Sequence, residues 1–125
     1  INKEIIIFEK RLFMNFNLTY KGAIVTVSSK VEKLDASNAS DLKSQLLHLS
    51  KTNHNQIIID LSETKYCDSS GLSAILMGNR ICKDTNGEFV LCGLQESVLK
   101  MIKIAQLDKV IRHVATVDEA ISLVN

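Results

Sequence analysis

Asp68-Ser69-Ser70-Gly71 is the stretch of this 125-residue chain whose residue types best suit chemistry at a protein surface. Two adjacent hydroxyls offer places for a phosphoryl group, and the Asp68 carboxylate can accept from the free N–H groups of a helix start. Gly71 keeps that start low in profile, so that another protein or a kinase active site can approach the backbone. A phosphate placed here would meet the positive end of a helix dipole and unpaired N–H donors. The same four residues also read as an ordinary polar cap, because Asp, Ser and Gly favour helix starts for structural reasons alone. Asp68 is the expected N-cap, Ser69 the solvent-facing hydroxyl, and Ser70 a first-turn residue and second choice of phosphoacceptor.

Other chemistries find less support. His48, His54 and His113 are far apart and lack Asp, Glu or Cys companions at metal-ligand spacing. Neither serine sits in a G-x-S-x-G elbow, and no histidine is placed by sequence as its base, so a serine hydrolase is not expected. The five glycines form neither a P-loop nor G-x-G-x-x-G. No catalytic residue, metal or cofactor is therefore expected, although a nucleotide could rest its phosphate on the helix start at Asp68 to Gly71. Fifteen basic against 14 acidic residues give no field for nucleic acid or an anionic membrane. Cys67, Cys82 and Cys92 are odd in number, widely spaced and set among apolar residues, which reads as reduced core thiols. The run Ile5-Ile6-Ile7-Phe8 is too short for a signal-peptide core or a membrane span, and the expected compartment is the cytoplasm.

The elements that must position Asp68 to Gly71 follow from periodicity. At this length, with 46% apolar and 23% charged residues, one domain with one core is expected. Residues 1–13 precede Met14, a candidate natural start, and are read as an extra segment without function; the domain is expected over 14–125. Phe16, Leu18 and Tyr20, then Gly22, then Ala23 to Val27 predict a β-hairpin. Ala39, Leu42, Leu46 and Leu49 predict a helix to about residue 51, with Ser37 as cap and Asp41 in its first turn. Gln56 to Leu61 is uniformly apolar enough to be the central strand of a covered sheet. Leu72, Ile75, Leu76, Asn79 and Cys82 mark a second helix ending at Asn86-Gly87, with Ser73 and Asn79-Arg80 assigned to its outer face. Glu88 to Cys92 predicts a strand closed by Gly93, and Val98, Met101, Ile102 and Ala105 predict the core face of a third helix. Val110-Ile111 is a further strand candidate, and Thr116 with Glu119 forms a capping box before a last helix. The order β-β-α-β-α-β-α-β-α calls for a mixed, mainly parallel α/β sheet of four to five strands with about four covering helices.

Ile57-Ile58-Ile59-Asp60-Leu61-Ser62, followed by Tyr66-Cys67-Asp68-Ser69-Ser70-Gly71-Leu72, resembles the signature of the STAS family, which includes the anti-sigma factor antagonists. The resemblance extends more weakly through Leu34-Asp35, Ala39 to Leu42, Phe89 to Gly93 and Leu107 to Ile111, roughly residues 16 to 124. A longer, more charged approach through Ser29-Lys30-Val31-Glu32-Lys33 departs from the family pattern. The resemblance implies a non-enzymatic bacterial regulator. Its unphosphorylated form would bind an anti-sigma factor with serine kinase activity and free a sigma factor; phosphorylation of Ser69 would end binding, and a PP2C-type phosphatase would restore it. It also implies that Asp35 lies in the rim facing the kinase, which completes an expected partner-binding set of Asp35, Asp68, Ser69, Ser70, Gly71 and Ser73. Two other readings stay open: a STAS accessory subunit of a transporter or lipid-export complex, and a small nucleotide-binding module.

Overall fold

Short runs of β-branched and aromatic residues lay down the longer strands, and Gly, Asn or Asp bound most of them. The structure, a computed structural model, describes residues 15–125; the segment 1–13 and the start at Met14 fall outside the described residues. The chain runs β1 (Phe16–Lys21), β2 (Ile24–Ser29), β3 (Lys33–Leu34), α1 (Ala39–Lys51), β4 (Gln56–Asp60), β5 (Tyr66–Cys67) and α2 (Ser69–Asp84). It continues with β6 (Glu88–Cys92), α3 (Glu96–Ile104), a 3₁₀ turn at Leu107–Lys109, β7 (Arg112–Val114) and α4 (Val117–Val124). Five strands form one sheet in the order β1-β2-β4-β6-β7. β1 and β2 are the expected antiparallel hairpin, turning at Gly22 with φ +60°, and every other pairing in the sheet is parallel.

The period of two in each strand divides the core between the two faces of the sheet. Val25, Val27, Ile57, Ile59, Phe89 and Leu91 point to one face, where Leu42, Leu46 and Leu49 of α1, Ala74, Ile75 and Cys82 of α2, and Val98 and Ile102 of α3 cover them. Ile24, Ile58, Val90 and Cys92 point to the other, against Ala120 and Val124 of α4. β4 is the middle strand, and Ile57, Ile58 and Ile59 are fully buried, each worth about 1.5–3 kcal/mol relative to exposure. α2 lies unusually close to the sheet, because a Cβ at Gly78 would fall 2.6 Å from the Phe89 ring. That approach explains why the buried face of α2 is Gly71, Ala74, Ile75, Gly78, Asn79 and Cys82 while Leu72 and Leu76 are only half-buried.

Four local expectations are corrected. Asn38, not Ser37, is the N-cap of α1; Ser37 is held by Asp35, whose Oδ1 accepts from both its hydroxyl and its N–H. Val110-Ile111 is not a strand: the 3₁₀ turn closes with the Val110 N–H donating to the Leu107 carbonyl, which also accepts from the Ile111 N–H, and Ile111 is buried as an anchor while pairing starts at Arg112. Ala105 lies past the end of α3 and is exposed, so the third helix is shorter than its apolar pattern. Asn79 belongs to the buried side of α2, leaving Arg80 on the outside. The capping box forms with a shifted return: Thr116 Oγ1 accepts from the Glu119 N–H at 3.2 Å, and the Glu119 carboxylate accepts from the N–H of Ala115.

Candidate functional site

Two dipeptides too short to show a period build the rim of the site. β3 and β5 form a separate parallel pair in which Lys33 stands opposite Tyr66 and Leu34 opposite Cys67. The Lys65 and Tyr66 N–H groups donate to the Glu32 carbonyl, and the Asp68 N–H donates to that of Leu34 at 3.1 Å. Asp35 and Asp68, the next residues on the two strands, therefore leave the pair side by side. Leu34 and Cys67 are buried; Tyr66 is half exposed, with the Lys33 ammonium 5.8 Å from its ring centroid, within cation–π range.

Thr64 holds this pair to the main sheet. It is fully buried, its Oγ1 donates to the Val31 carbonyl at 2.7 Å, and it lies 2.8 Å from Ser29 Oγ at the end of β2. A hydroxyl has one proton, so with that proton on Val31 it is Ser29 that donates to Thr64. The charged approach through Ser29 to Lys33 is thus ordered from within, and outside it the Lys30 ammonium meets Glu63 at 2.6 Å.

The serine-bearing segment begins at Asp68, the N-cap of α2. Its backbone is extended (φ −100°, ψ −172°) and its Oδ1 accepts from the Gly71 N–H at 3.1 Å, which leaves the helix start capped from one side only. Ser69 and Ser73 are exposed and Ser70 is half-buried. Gly71 is buried, and its Cα faces inward: a Cβ there would lie 2.6 Å from both Cys67 Sγ and the Leu34 carbonyl oxygen. The expectation that Gly71 opens the backbone to another protein is corrected accordingly. Its missing side chain seats α2 against its own rim, and the access falls to Ser69.

Charge at the rim is negative. The hydroxyl and N–H of Ser37, with help from the nearby Lys33 charge, hold the Asp35 carboxyl below its ordinary value, so Asp35 is ionised at neutral pH. Burial, and then the charge of Asp68, pushes the Cys67 thiol up to about 12. Next to Ser69 it is a packing group and not a thiolate. Cys82 and Cys92 are also free, buried and pushed up to about 12. Glu32 to Asp35 on one side and Tyr66 to Asp68 on the other enclose an open groove of about 570 Å³ that carries three carboxylates and one ammonium. Among the described residues no group of three or more His, Cys, Asp or Glu side chains is arranged to hold a metal ion, and no helix is long and apolar enough to cross a membrane.

Of the residues singled out from sequence, the structure brings Asp35, Asp68, Ser69, Ser70 and Gly71 together, with Ser73 one turn further along α2. Sequence reasoning missed Thr64 and Tyr66. Thr64 carries no periodic signal, and Tyr66 was noticed only as part of a motif.

The sequence model of the STAS domain matches residues 17–120. Over 72 residues the chain is 26% identical to BtrV of Bordetella bronchiseptica, named as a candidate anti-sigma factor antagonist; the match takes in 58% of this chain and 62% of that protein. Among solved structures, a candidate anti-sigma factor antagonist of Thermotoga maritima superposes with a TM-score of 0.83 at 22% identity, covering 91% of this chain and 97% of that one. The Bacillus cell fate determinant SpoIIAA in its phosphorylated form gives 0.70 at 20% identity, covering 88% and 99%. At such identities the structural likeness is one of fold.

Proposed function

Because the chain belongs to the STAS domain family, we propose that it is an anti-sigma factor antagonist acting in a partner switch. In this reading the unmodified domain binds an anti-sigma factor with serine kinase activity and so releases a sigma factor. Phosphorylation of Ser69 ends the binding, and a PP2C-type phosphatase reverses it. The protein is then a substrate of chemistry and not an enzyme. The observation that carries the reading is the exposed Ser69 at the Asp68-capped start of α2, beside the groove that Asp35 and Asp68 both line.

Physical chemistry supports a switch that leaves the fold in place. A phosphoserine carries about −1.5 to −2 charges, and at a helix start the free N–H groups and the dipole offset much of that charge. The domain can therefore accept the modification. The partner cannot do so equally, since the new anion takes up surface the partner would cover and adds to the negative field of Asp35 and Asp68. Ser70, half-buried within the first turn, is the less accessible acceptor.

The test uses the domain as bait in a native lysate, with retained proteins identified by mass spectrometry. Wild type and Ser69→Ala are expected to retain a serine kinase related to the histidine kinases, Ser69→Asp to lose it, and Ser70→Ala to retain it and still be phosphorylated. Equal retention of that kinase by wild type and Ser69→Asp would sink Ser69 as the control point. Retention of a transporter complex without any kinase would replace the reading by that of an accessory subunit.

A further inference from the structure

α1 and α2 lie side by side over the sheet and leave a groove on their solvent side. Lys43 of α1 and Ser73, Leu76, Met77 and Arg80 of α2 enclose about 240 Å³ there. Leu76 and Met77 are only half-buried, so the floor is apolar and still open, and Arg80 stands exposed at the rim. At 3.6 residues per turn Ser69, Ser73, Leu76, Met77 and Arg80 fall within about 100° of arc on α2. The groove is thus the continuation of the face that carries Ser69. Among the described residues neither Lys43 nor Arg80 forms a salt bridge.

Charge changes sign along this face. Asp35 and Asp68 make the end near Ser69 negative, whereas at the far end the two cations Lys43 and Arg80 outnumber the one carboxylate on the same face, Asp84, a turn beyond Arg80. A partner covering both ends must present a basic group over the first and carboxylates over the second, and such polarity fixes its direction on the surface. We propose that the α1–α2 groove is the second half of the docking surface headed by Ser69, and that it takes a segment of the same partner in which carboxylates flank apolar side chains. The inference rests on the partner-switch reading. The apolar side chains fill the space over Leu76 and Met77, and the carboxylates meet Lys43 and Arg80 at the rim.

The probe is the serine kinase captured in the lysate experiment, purified and titrated into the domain by calorimetry. Lys43→Glu/Arg80→Glu is expected to lower affinity by about tenfold or more and to flatten or reverse its dependence on salt. Lys43→Gln/Arg80→Gln is expected to do the same to a smaller extent. Both variants should keep the thermal midpoint of the wild type, since the two side chains lie on the solvent side. Lys21→Glu, at the hairpin turn beyond the opposite end of the sheet, should bind as wild type. Unchanged affinity in both double variants, with Ser69→Asp still failing to bind, overturns the groove and leaves the switch intact. Equal losses in Lys21→Glu would reduce the effect to net charge and also overturn it. A wild-type domain that captures no such kinase overturns both.

Discussion

Gly71 is under two opposing demands, and their sizes decide what a side chain there would do. Inside an exposed helix, Gly→Ala gains about 1 kcal/mol from backbone entropy. Here the added carbon would meet the Leu34 carbonyl and Cys67 Sγ, both at 2.6 Å, and overpacking of that kind costs about 1–3 kcal/mol. Gly71→Ala is therefore expected to be destabilised by up to about 2 kcal/mol in chemical denaturation, and to be a poorer kinase substrate as α2 lifts from the rim. A more stable Gly71→Ala protein would mean that the rim yields freely and does not hold the helix start. Asp68, Ser69 and Ser70 were legible from sequence because cap chemistry is local: a carboxylate before three small polar residues has few other uses. The inward direction of Gly71 was not legible, because it depends on Leu34, which arrives from a strand distant in sequence.

At the scale of elements, long periodic segments were readable and two-residue strands were not. Ile57 to Ile59 and Phe89 to Leu91 announced buried strands through branched apolar side chains, and Leu42, Leu46 and Leu49 announced a helix. β7 is Arg-His-Val on a sheet edge, a composition that hides a strand, while its neighbour Ile111 mimicked one by being buried. Thr64 fastens the pair β3–β5 to the end of β2, which gives a direct test. Thr64→Val keeps the shape but removes the donor to Val31 and the acceptor for Ser29, at a cost of about 1–3 kcal/mol. Amide exchange should then quicken at Lys65, Tyr66 and Asp68, whose N–H groups bind the Glu32 and Leu34 carbonyls, while β4 and β6 stay protected. Uniform acceleration across the whole sheet would show that Thr64 acts on global stability and not on the rim.

For the whole molecule, a mainly parallel sheet with helical cover was legible from alternation, since strands separated by helices have few other ways to close, while the strand order β1-β2-β4-β6-β7 was not. What alternation left open was the unequal covering of the two faces, three helices on one and α4 on the other. Ser69 belongs to the three-helix side, anchored through α2 to β6. A rigid platform of this kind predicts that phosphorylation changes binding without changing the fold. The N-terminal dipole offers about 0.3–1 kcal/mol to the new anion, and Asp35 and Asp68 oppose it. The thermal midpoint of the phosphorylated domain is accordingly expected within about 4 °C of the unmodified one, as read by calorimetry. A shift well beyond that range would make the switch a change of fold stability and not of surface.

The seat of α2 on Phe89 also has a meaning in time. The Ser69 helix rests, through Gly78, on a strand synthesised after it, and its rim joins Ser29 and Val31 to Thr64 across 35 and 33 positions. Closing such loops is slow compared with local helix formation. A ribosome-bound chain that has emerged only as far as α2 would lack Phe89, so its serine would sit on an undocked segment. In the proposed partner switch, a partner that reads the assembled rim would engage only chains in which β6 has joined the sheet.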